Sequence, residues 1–148
     1  MKKALLHSRG FLTIEIILAA ATFSLFVMAY VGTILYGEEA GVLAGQRARA
    51  TYLAEEGYEA VRNMRDEDFS NLADGTYGLL ESGSQWTLSD SEDVTDIFTR
   101  QVEISSVDEN RKAIVSTVTW QQNALRPGSA VIEGQLTNWQ RGVATSTP

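Results

Sequence analysis

The residue whose setting most constrains its chemistry is Glu15, a lone carboxylate in the apolar run FLTIEIILAAATFSLFVMAYVGTILYG at residues 11–37. An ionised side chain deep in a membrane span costs about 2.5–3.5 kcal/mol on insertion scales, and such charges are kept where a partner meets them. Glu15 therefore points to ion pairing with a cation in apolar surroundings rather than to bond-making. Other reactive residue types are scarce. There is no cysteine, and the single histidine is His7. Thiol nucleophiles, thiolate-held metals and an imidazole base are thus excluded from everything after residue 7. No phosphate-binding loop or dinucleotide fingerprint occurs. A carboxylate dyad of the glycosidase kind is the one enzyme chemistry left open, and nothing singles out a pair. The expectation is a non-enzyme without a cofactor. Asp90, Glu92, Asp93 and Asp96 are dense enough in oxygen for calcium. They lack EF-hand order and a turn glycine, so a solvated loop is expected.

The elements that must position Glu15 are legible from composition. Residues 16–36 are 21 residues with neither charge nor proline. As a helix at ~1.5 Å per residue they span roughly 31 Å, the thickness of a bilayer's hydrocarbon core. Lys2, Lys3 and Arg9 precede the run and place the N-terminus on the cytoplasmic side by the positive-inside rule. Residues 38–65, EEAGVLAGQRARATYLAEEGYEAVRNMR, are good helix formers. Leu43, Ala50, Leu53, Gly57, Ala60 and Met64 recur near a seven-residue spacing with charges between them. One helix is expected from near Phe11 to about Arg65, apolar all round at first and amphipathic afterwards, with Glu59 in reach of Arg62. Gly32, Gly37, Gly41 and Gly45 lie at the join, each weakening the helix by up to roughly 1 kcal/mol, so the helix can bend or melt there.

Asp66, Glu67 and Asp68 end the helical pattern, and 71–75 reads as a turn. The period then changes to two, with strands expected at 76–80, 85–88, 97–105, 113–122 and 131–139. Asp108, Glu109 and Asn110 suit a hairpin turn, and Arg126, Pro127 and Gly128 the next. Val102 and Ile104 share one face of their strand, as do Ile114, Val118 and Trp120 of theirs. Trp86, Trp120, Trp139, Tyr77 and Phe98 are expected in the core and in cross-strand pairs. The fold class expected is α+β, a long N-terminal helix on a small antiparallel sheet.

The start of the chain, RG followed by FLTIEIILA, resembles type IV pilins and the related pseudopilins. The leader's length and charge, Gly10, Phe11, the offset of Glu15 and the unbroken apolar helix coincide with that pattern. The resemblance implies that prepilin peptidase, an inner-membrane aspartyl peptidase, cuts between Gly10 and Phe11 and that Phe11 is N-methylated. It implies that Glu15, fifth in the mature chain, serves subunit assembly. The layout becomes a leader at 1–10, a membrane and filament-core helix at 11–37, an amphipathic half at 38–66, a sheet domain at 67–141 and a loose tail at 142–148. Implied partners are other pilin subunits, prepilin peptidase, the inner-membrane assembly platform and the membrane itself. The implied location is the inner membrane for the precursor and the cell surface for the assembled filament. Two departures stand out. Gly32 occupies the place where many type IV pilins carry proline, and without cysteine there is no C-terminal disulfide loop. AEEGYEAVRNMRD (54–66) and LTNW (136–139) resemble segments of minor pilins of the PilV-like kind.

The assembly chemistry can be argued from charge alone. A cut after Gly10 creates a cationic amine at Phe11, and an incoming copy's Glu15 neutralises it. Either charge left unpaired in apolar surroundings is costly, so the pair sets register more than it adds stability. The whole chain carries −7; without Lys2, Lys3 and Arg9 it has 9 basic and 19 acidic side chains, a net −10. Such a surface suits solubility and is a poor binder of nucleic-acid phosphates, so no nucleic-acid partner is expected. A secretory signal cut after Ala19-Ala20-Ala21 is the first alternative, but the apolar run continues 15 residues further. An uncut, signal-anchored surface binding domain is the second. It leaves Glu15 and the Gly10–Phe11 junction unexplained.

Overall fold

The computed structural model describes the backbone of residues 9–83, 85–123 and 126–142, and side chains from Thr13 to Gln140 within them. Most of the expected leader and all but the first residue of the expected tail lie outside the described residues. The fold is α+β, as expected. One helix, α1 (Arg9–Glu67, 59 residues), precedes an antiparallel sheet of β1 (Gly75–Ser82), β2 (Gln85–Ser89), β3 (Asp93–Thr95), β4 (Phe98–Asp108), β5 (Arg111–Asn123) and β6 (Arg126–Thr137). α1 continues through Gly32, Gly37, Gly41 and Gly45 without a break. Glycine lowers helix propensity but, unlike proline, removes no hydrogen bond, so four of them do not interrupt the ladder.

The chain divides into two compact units, Met1–Val42 and Leu43–Pro148. In the first, every described side chain from Thr13 onward is exposed, including Ile14, Phe23, Phe26 and Met28. In the second, the helix turns one face inward. Ala50, Leu53, Gly57, Ala60 and Met64 are buried as the spacing predicts, together with Ala54 and Val61. The sheet order is β2-β1-β4-β5-β6, with β3 also paired to β4. Val102 and Ile104 of β4 pair with Ser116 and Ile114 of β5, while Phe98 pairs with Trp120. One cluster gathers Ala60, Val61, Met64, Leu72, Leu79, Val102, Ile104, Ile114 and Leu136; another gathers Ala50, Leu53, Ala54, Phe98, Val118 and Trp120. Both unite the helix face with the inward positions of the strands.

Three expectations are corrected. Arg126, Pro127 and Gly128 form no turn but open β6, pairing with Asn123, Gln121 and Trp120. β6 is the last strand of the sheet, and a proline there can direct its missing donor to the open edge without breaking the ladder. Trp139 is not in the last strand, which ends at Thr137. It lies in a 3-10 turn (Trp139–Gly142) and is half-exposed. The acidic stretch is not a simple loop, because Asp93 opens β3 opposite Arg100.

Arg100 explains β3. Its side chain is only 7% exposed, with Nε donating to Asp93 at 2.7 Å and Nη1 to Glu56 at 2.8 Å and to the Leu53 carbonyl at 3.1 Å. A buried guanidinium without partners is strongly unfavourable, so Arg100 fastens both helix and β3 to β4. Its charge also lies 5.5 Å from the centre of the Trp86 ring.

Helix and sheet approach closely at Gly57. A Cβ there would stand 2.5 Å from Ser116 Oγ, a buried hydroxyl with no hydrogen-bond partner among the described residues. Gly57→Ala is expected to destabilise the fold by roughly 1–2 kcal/mol, overpacking outweighing the gain in helix propensity. Ser116→Ala is expected to be neutral or stabilising, since it removes an unsatisfied buried group. Combined, the two should cost less than their sum, because the obstructing oxygen is gone. Urea midpoints of the four proteins measure the coupling; strict additivity would refute the steric account.

Candidate functional site

The expected site residues all lie at the start of α1. Gly10 and Phe11 are in its first turn, and Glu15 is one turn beyond Phe11. Residues four apart on a helix share a face, with a rise of about 6 Å. Glu15 is the first acidic residue of α1, whose opening turn contains none, and it is exposed. The N-terminal end of a helix carries the positive end of its dipole and unsatisfied N–H groups. An ammonium created at Phe11 would add to that positive charge, and a carboxylate one turn away would offset it. Glu15 has no ion-pair partner among the described residues. The helix bearing it is the one element among the described residues long and apolar enough to cross a membrane, and its apolar stretch is wholly exposed.

The acidic stretch considered for calcium does not converge. Asp93 is committed to Arg100, and Asp96 pairs with Arg49 at 3.2 Å. No group of three or more acidic, histidine or cysteine side chains among the described residues is arranged to hold a metal ion. Asp96 adopts a left-handed backbone, φ 60°, at the turn between β3 and β4, a conformation aspartate tolerates better than most side chains.

A second polar focus escaped sequence reasoning. Asp66 accepts from Trp139 Nε1 at 3.1 Å and from Arg65 Nε at 2.8 Å, while Gln140 Nε2 donates to its carbonyl at 2.9 Å. The segment after β6 is thereby clasped to the end of α1. The only available signal was the position of Trp139 just past a β-alternating run, which read as more strand. On the sheet, Lys112 Nζ bonds both Asp74 and Ser106. A pocket of about 370 Å³ beside the clasp is lined by Asp66, Glu67, Gln85 and Trp86, and both its carboxylates are engaged, Glu67 with Gln85 Nε2 at 3.5 Å.

No family model, curated protein or solved structure matches the chain.

The clasp has a pH signature. The Trp139 indole N–H, helped by Arg65 and opposed by partial burial, holds the Asp66 carboxyl below its ordinary value of 3.8. A carboxyl lowered on folding adds stability that is complete above the unfolded value and is lost as pH falls through the folded one. Asp66→Asn should therefore be less stable than the parent near pH 7, and the difference should close below about pH 3.8. Denaturation midpoints of the two proteins across that range provide the check. A gap that stays constant down to about pH 2 would contradict it.

Proposed function

We propose that this chain is a filament subunit of the type IV pilin class, processed between Gly10 and Phe11 and polymerised through its N-terminal helix. The observation that carries the reading is a helix start with a wholly exposed apolar surface and a single carboxylate, Glu15, one turn from the proposed new N-terminus. A bilayer covers that surface in the precursor. In the filament the same surfaces cover one another. Because lipid and neighbouring helices are equally apolar, transfer between them needs a term that favours the helix neighbour in one register. The Glu15 carboxylate and the Phe11 ammonium of another copy supply it, since a subunit seated one step off leaves both charges unpaired.

Processing fits the helix start. The Gly10–Phe11 bond lies in the first turn of α1, where N–H groups lack carbonyl partners within the helix. Exposing it to prepilin peptidase requires unwinding of that turn alone. The partners are other pilin subunits, prepilin peptidase and the inner-membrane assembly platform. The precursor resides in the inner membrane and the assembled subunit at the cell surface, with a PilV-like minor pilin as the finer assignment.

The N-terminal residue and intact mass of the chain in sheared surface material test this reading. The expected species begins with methylated Phe11. A chain beginning at Thr22 would instead mean a conventional secretory signal, and intact Met1 confined to membranes a plain anchor. Glu15→Ala should insert at the parent's level yet fall at least about tenfold in sheared filaments. Tenfold corresponds to about 1.4 kcal/mol, well within the cost of one unpaired charge in apolar surroundings. Undiminished incorporation of Glu15→Ala would remove Glu15 from assembly.

A further inference from the structure

The acidic sheet-bearing unit uses most of its described cations internally. Among the described residues from Leu43 onward, Arg49, Arg62, Arg65, Arg100, Arg111 and Lys112 each hold a carboxylate. Arg47 and Arg126 hold none among the described residues, and both line one pocket of about 280 Å³. Trp120, Gln122 and Ser129 also line it, and no carboxylate does. Trp120 is 4% exposed, and a Cβ on Gly128 would run into its indole ring, so glycine keeps the pocket clear beside it. Two guanidinium groups with a carboxamide and a hydroxyl suit an anion with paired oxygens, for which bidentate arginine contacts are the strong form.

The occupant follows from charge and topology. Asp90 and Glu92 are exposed in the turn between β2 and β3 and pair with no cation among the described residues. They lie on the β1–β2 side of the sheet, whereas the pocket lies at the β5–β6 side. Within one copy neither acid is ion-paired to either arginine, whereas two copies side by side can bring them together. Joining two different surfaces of identical molecules is heterologous and propagates without closing. Identical acidic neighbours otherwise repel, and the pocket offers a neighbour two uncommitted cations.

We infer that the Arg47–Arg126 pocket is the docking site for the acidic turn carrying Asp90 and Glu92 of a second copy of this chain. The inference rests on the filament reading for the way the copies are arrayed. It fixes which copy-to-copy face the sheet-bearing units use, separately from the helix contact at Glu15.

The chain has no cysteine, so introduced thiols report cleanly. Ser91→Cys and Ser129→Cys, combined in the full chain and oxidised mildly in membranes and sheared material of producing cells, should give a ladder of disulfide-linked oligomers. Each single variant should stay monomeric, and the two mixed should give only dimers. Arg47→Glu with Arg126→Glu should lower the ladder at least about tenfold. Adding Asp90→Arg and Glu92→Arg should restore it. Absence of a ladder, dimers from Ser129→Cys alone, or failure of the charge swap to restore cross-linking would each overturn the inference. Filaments that begin at Phe11 without a ladder would sink this contact and leave the filament reading standing. A ladder confined to membranes, with intact Met1, would uphold the contact and sink the filament reading.

Discussion

An apolar helix that its own chain does not cover must be covered by something else. Residues 13–42 expose every described side chain, with Ile, Leu, Phe, Val and Met around the whole circumference. In water that surface carries a cost of about 25 cal/mol for each Å² of apolar area left exposed. Lipid removes the cost, and so do parallel copies of the same helix. The proposed life of the subunit, anchored first and polymerised afterwards, exchanges one cover for the other at little net hydrophobic gain. Small polar terms then decide the outcome, and that gives one carboxylate near the helix start a weight it would not have on a soluble surface.

The sheet-bearing unit solves a separate problem, that of attaching a sheet to one face of a helix. Small residues do the positioning. Ala50, Ala54, Gly57 and Ala60 make a close-packed strip, and the sheet answers with Val102, Ile104, Ile114 and Val118. The approach is tight enough at Gly57 that Ser116 cannot be avoided. Arg100 adds direction to this non-directional packing. Its bonds to Asp93, Glu56 and the Leu53 carbonyl join β3 and the helix to one strand, since a guanidinium at that depth tolerates few alternative arrangements.

Electrostatics divides into used and unused charge. Six described cations of the unit are spent on ion pairs within it, and those at its surface contribute little individually. Arg47 and Arg126 are the exceptions among the described residues, facing the same pocket. In a chain with a net charge of −7, cations left over are more informative than acids left over, because acids are in surplus everywhere.

Features that depend on local period and composition are legible in the sequence. The apolar length of 16–36, the amphipathic spacing through Leu53, Gly57 and Met64 and the alternation around Val102 and Ile104 were all legible. Each repeats a short-range rule that holds whatever the neighbours are. Glu15 was legible for the same reason, as a charge out of place in an apolar period. The remaining features depend on which groups the fold brings together, some close in the chain and some far apart. Asp93 looks like loop acidity until Arg100 is placed across from it. Pro127 signals a turn until β6 is known to be the last strand. Trp139 continues an alternating pattern until its indole finds Asp66, 73 residues earlier. Nor does any sequence rule bring Arg47 and Arg126 to one pocket. Contacts like these are set by the fold, and the identity of each neighbour is not written in the adjacent residues.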